Sequence, residues 1–124
     1  MSRLLKKGKG WRIGWDTENK QYQGLIGSES WAIELNAKEF QEFYRLLRQL
    51  TETMQQIATE LMDEEKIAIE AESDLMWLEV EGYPHNYSLR LILYQDRCCE
   101  GNWSTGIAPE LVLAMQRILE ENLI

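Results

Sequence analysis

The chain has 124 residues, 44% of them hydrophobic, and a formal net charge of −8 with a pI near 4.7. That length suits one domain able to bury about two thirds of its unfolded surface, so neither a metal nor a disulfide framework is required to hold it together. Two cysteines, adjacent at 98 and 99, exclude a disulfide scaffold, and the lack of an apolar h-region or a membrane-length apolar run makes the sequence read as cytoplasmic.

The charge is uneven along the chain. Residues 1–12 hold Arg3, Lys6, Lys7, Lys9 and Arg12 and no acid, a formal +5, so the body carries −13. Residues 1–10 therefore read as a flexible basic arm and 11–124 as a single domain. Trp11, Ile13 and Trp15 alternate with Arg12 and Gly14, which is strand periodicity. Residues 21–28 form a second strand, in which Gly24 and Gly27 mark a bulge, a bend or close approach of another backbone. Trp31, Ile33 and Leu35 define a third.

Residues 36–62 then read as one long amphipathic helix. Phe40, Phe43, Tyr44, Leu47, Leu50, Met54, Ile57, Ala58 and Leu61 step by threes and fours along one stripe. Asn36 is the expected N-cap, with Glu39 closing a capping box. Asp63, Glu64 and Glu65 oppose the macrodipole, so the helix should stop at or before Met62.

Residues 66–72, 75–83 and 87–95 alternate again. Met76, Leu78 and Val80 face one way, and Trp77, Glu79 and Glu81 the other. Residues 98–104 make a last short strand. Pro109 opens a final helix over 109–122, which buries Leu111, Val112, Met115, Ile118 and Leu119. At a constant offset of 72, Trp31 matches Trp103, Leu35 matches Ile107 and Arg45 matches Arg117. The expected fold is thus α+β: antiparallel strands in two blocks, each followed by a helix, with the first helix long and packed on the sheet. The regular stripe also allows that helix to pack on a second copy as a homodimer.

Chemical signatures are sparse. The one histidine, His85, sits in a polar loop with no nucleophile or acid at catalytic spacing. Cys98 and Cys99 have no metal-ligand spacing, and residues 7–10 lack the pattern of a phosphate-binding loop. No catalytic residue, metal or cofactor is expected. Two binding chemistries remain. Trp77, Arg90 and Tyr94 fall on the solvent side of the later strands and would form a stacking face for single-stranded nucleic acid, with Arg3, Lys6, Lys7, Lys9 and Arg12 on the phosphates. The alternative is a protein–protein adaptor using the acidic sheet face (Glu70, Glu72, Glu79 and Glu81) or the helix stripe.

The motifs Gly10–Asp16 (GWRIGWD), Trp31–Leu35 (WAIEL) running into the long helix, and Gly101–Ser104 (GNWS) before the last helix resemble a small family of cyanobacterial proteins of unknown function. The resemblance covers nearly the whole chain. That family's fold is similar to the single-stranded-DNA-binding transcriptional regulators of the Whirly and coactivator type. The resemblance implies a transcription-related, single-strand-binding module. This chain departs from that pattern in carrying more Glu than Lys or Arg on its strands, and a shared fold does not by itself carry function.

Overall fold

The computed structural model describes residues 3–60, 65–94 and 97–120. Strands β1 (Arg3–Gly8), β2 (Trp11–Asp16), β3 (Gly24–Gly27) and β4 (Ala32–Leu35) form an antiparallel sheet in chain order, followed by helix α1 (Ala37–Ala58). Strands β5 (Ile67–Glu72), β6 (Met76–Tyr83), β7 (Asn86–Leu93) and β8 (Glu100–Trp103) form a second antiparallel sheet, followed by helix α2 (Ala108–Glu120). This is the two-block α+β architecture that the alternation predicts.

One expectation is corrected. Residues 3–8 are not a free arm but an edge strand, in register with β2 from Arg3 opposite Asp16 to Gly8 opposite Trp11. Leu4 lies opposite Trp15 and packs on the core. That contact and the backbone ladder outweigh the charge density that made the segment look like tail.

Helix α1 begins as the capping box requires. Asn36 Oδ1 accepts from the Glu39 amide at 2.8 Å, and Glu39 Oε1 accepts from the Asn36 amide at 2.9 Å. The helix ends at Ala58, with Thr59 as C-cap, four residues short of the expected limit. Leu61, Met62 and the acids Asp63 and Glu64 lie outside the described residues. So do Gln95, Asp96 and residues 121–122, where the expected second helix ends.

Burial explains the helix's length. Its 22 residues span roughly 33 Å. They pack on β3 and β4 of their own block and on β5 and β6 of the next. Phe40, Phe43, Leu46, Leu47, Leu50 and Met54 are all buried. At about 1.5–3 kcal/mol each, this packing rather than intrinsic propensity fixes the helix. Near its start, Phe40 lies 5.1 Å from the Trp15 ring and directly over Gly24. A Cβ at Gly24 would stand 2.9 Å from Phe40 Cγ, so the glycine marks a close approach rather than a bulge. Helix α2 reciprocates by packing on β7 and on β2.

The halves are joined at a second point. Trp31 and Trp103, the offset pair of the sequence, meet in a tilted contact with centroids 5.0 Å apart, and Trp31 also lies over Gly101. The Trp103 indole N–H donates to the Gly27 carbonyl at 2.9 Å, tying β8 to β3 inside the core. A third tie is Arg97. It donates to Glu39 Oε1 at 2.6 Å and to the Glu34 carbonyl, and its guanidinium lies 4.7 Å from the Tyr22 ring centroid. Among the described residues, no helix is long and apolar enough to cross a membrane.

Candidate interaction faces

Each sheet turns one side toward the helices and the other to solvent. The register of the second sheet places Glu70 opposite Glu79, Glu79 opposite Arg90, Glu72 opposite Trp77 and Trp77 opposite Ile92 on its solvent side. Tyr94, just past β7, is anchored there by its amide on the Leu75 carbonyl at 3.0 Å. The structure therefore does bring Trp77, Arg90 and Tyr94 onto one face, as the alternation requires.

Their polar groups are already engaged by carboxylates. The Trp77 indole N–H donates to Glu70 at 3.0 Å, and the Tyr94 hydroxyl donates to Glu72. Arg90 lies 5.5 Å from the Trp77 ring centroid and 3.8 Å from a Glu79 oxygen. Lys66 meets Glu81 at 3.0 Å at the strand start, and that pairing raises the lysine's pKa. The hydrogen bond to Glu72, helped by burial and by the charges of Glu72 and Glu70, pushes the Tyr94 hydroxyl up to about 12. This face is acidic, with Glu70, Glu72, Glu79, Glu81 and, opposite Ile92, Glu100 around one arginine and one lysine. Its aromatic groups are bound by acids that would meet a phosphate backbone with like charge.

The other five candidate residues lie on the first sheet. Arg3, Lys7 and Arg12 share its solvent side, with Lys7 directly opposite Arg12. Arg12 also donates from Nη2 to the Trp31 carbonyl at 3.3 Å, while its Nε is buried without a partner. Lys6 points to the other side and lines a cavity of about 340 Å³ with Trp11, Leu113 and Arg117. Lys9 occupies the β1–β2 turn. The eight residues are thus two groups on two sheets and not a single surface.

Two features carried no sequence signal. Arg97 falls between the expected strands 87–95 and 98–104, and nothing local announces its reach to Glu39 and Tyr22. An apolar groove of about 410 Å³ also opens between the end of α1, the start of α2 and the β6–β7 hairpin, lined by Met54, Tyr87, Pro109 and Val112 with His85 at its rim. Burial pushes the Tyr87 hydroxyl there up to about 12. Among the described residues, no three His, Cys, Asp or Glu side chains converge as metal ligands would.

Comparison with known proteins agrees with the fold. No curated protein matches the chain. A crystal structure of a protein of unknown function, described as from the DUF155 family, of Prochlorococcus sp. NATL2A superposes with a TM-score of 0.89 at 30% sequence identity, covering 95% of this chain and 99% of that one. The cyanobacterial source and the unassigned function both fit the family resemblance read from the tryptophan motifs. The model of the domain of unknown function DUF1818 matches residues 6–118, nearly the entire described structure, and the chain belongs to that family.

Proposed function

We propose that this protein is a non-enzymatic binding module that acts as a protein–protein adaptor, receiving a basic partner on the solvent face of its second sheet. The observation that carries this reading is the sign of that face. Glu70, Glu72, Glu79 and Glu81 surround Trp77 and Tyr94, so the aromatic groups sit inside an acidic frame. An aromatic centre with charge at its rim is the composition of a protein contact. The test is titration of a lysine-rich peptide into the protein. The expected result is binding that weakens in Glu70→Gln/Glu79→Gln and survives in the off-face control Glu18→Gln/Glu60→Gln. Equal loss in both variants would reduce the binding to net charge and sink the reading.

A second reading is favoured by a separate observation. Lys7 and Arg12 stand directly opposite each other, with Arg3 on the same side, and like charges so placed gain from a bound anion. Single-stranded nucleic acid on the first sheet is the ligand this suggests, and it is also what the family resemblance of the sequence motifs implies. A salt series with labelled single-stranded DNA tests it: binding must occur at low salt and be lost in Arg3→Gln/Lys7→Gln. Quenching of tryptophan fluorescence by the oligonucleotide would report stacking.

A further inference from the structure

In each sheet one edge lies at the Trp31–Trp103 contact and the other does not. β4 and β8 belong to the junction, where Trp31 covers Gly101 and Trp103 reaches Gly27. The remaining edges are β1 and β5, each six residues long and each paired on one side only. Among the described residues, no backbone hydrogen bond reaches β1 except from β2, or β5 except from β6. An unpaired edge of this kind is a template for a further strand.

The two edges carry opposite charge. On its solvent side β1 presents Arg3 and Lys7, and β5 presents Glu70 and Glu72, all four exposed. Two β1 edges repel each other, as do two β5 edges, whereas β1 and β5 attract. Glu70 already faces Glu79 across the ladder, so a cation diagonal to it on the open side eases a like-charge pair. Apolar surface is present as well. Leu5, between the two β1 cations, is 57% exposed, and Ile69, on the core side of β5, is only partly covered.

We propose that the β5 edge of one copy pairs with the β1 edge of a second copy, antiparallel and along all six residues. This rests on the adaptor reading and names the partner as the chain itself. In the fully overlapped register Arg3 stands opposite Glu72, Lys7 lies diagonal to Glu70, and the aliphatic stem of Lys6 covers Ile69. The contact is heterologous: every copy has one edge to give and one to receive, so association runs beyond the dimer or closes into a ring.

The test is sedimentation velocity at low ionic strength, about 0.02 M, where the screening length is roughly 20 Å. The expected result is a mass that rises with protein concentration and returns to monomer as salt increases. Arg3→Gln/Lys7→Gln and Glu70→Gln/Glu72→Gln should each be monomeric alone, with unchanged circular dichroism. Their equimolar mixture should form dimers and nothing larger, since only one intact edge of each type remains. A wild-type protein that stays monomeric at low salt overturns the proposal, as does either double variant assembling alone or the mixture growing past the dimer. If the wild type is monomeric yet still binds the lysine-rich peptide through Glu70 and Glu79, the self-pairing fails and the adaptor reading stands. If it does neither, both fail.

Discussion

Replacing Arg97 with alanine should loosen the grip between the two halves. The guanidinium lies 2.6 Å from Glu39 Oε1, and the side chains are 23% and 7% exposed. Glu39 is the one charged residue buried among the described residues, and its carboxylate serves the α1 cap and the arginine together. Stripping one partner from a fully buried ion pair costs about 3–5 kcal/mol. Arg97 keeps some solvent, so the charge-assisted bond contributes nearer 1.5–2 kcal/mol, and the contact with Tyr22 adds about 0.5 kcal/mol. Arg97→Ala should therefore destabilise the fold by roughly 2–2.5 kcal/mol, which lowers Tm by roughly 10 °C in a domain of this size. Urea unfolding followed by tryptophan fluorescence measures the loss. A double-mutant cycle with Glu39→Gln isolates the pair and should return a coupling of at least about 1 kcal/mol. Losses that simply add, or an Arg97→Ala variant within about 0.5 kcal/mol of wild type, would show that the clamp holds nothing.

Three further outcomes follow from the packing and the titrating groups. Gly24→Ala forces a methyl against the Phe40 ring in a filled core and should cost about 1–3 kcal/mol by overpacking, measured by thermal unfolding; an unchanged Tm would mean that α1 can lift off β3 freely. Asn36→Ala leaves the Glu39 amide without its acceptor and should cost about 1 kcal/mol, with a matching loss of amide-exchange protection in the first turn of α1. Tyr87 and Tyr94 are both pushed up to about 12, against an ordinary value of about 10 in an unfolded chain. The folded state holds these protons more tightly, so their contribution is complete below about pH 10 and is lost as pH climbs through about 12. Denaturation should become easier across that window and the slope should flatten in Tyr87→Phe; stability that rises with pH there would contradict the assignment.

What the sequence made legible was local. The Asn36–Glu39 box depends on residues three apart, and the inward sets of β6 and β7 depend on strict alternation, so both could be read directly. β1 could not. Leu4 and Leu5 are adjacent rather than alternating, and the strand exists because β2 lies beside it with Trp15 to cover Leu4. The candidate face was half legible for the same reason. Alternation put Trp77, Arg90 and Tyr94 on one side, but what they touch there depends on cross-strand register, which brings Glu70 and Glu72 to them from another strand. Arg97 lies beyond any local rule, since its partners are Tyr22, Glu34 and Glu39 of the first block. The length of α1 belongs to the same class: the helix is long because it serves two sheets, and the second is set by chain far from it in sequence.

That shared helix bears on how the chain acquires its structure during synthesis. When α1 leaves the ribosome, its later turns have no β5 or β6 to cover them, and β2 still lacks α2, the last described element to be made. The first block therefore emerges with apolar surface on both its helix and its sheet, and neither is covered until the second block arrives. A repeat that looks divisible in sequence is thus indivisible in folding: each half supplies the surface that the other needs, and a nascent chain halted after α1 is a chaperone substrate rather than a small domain.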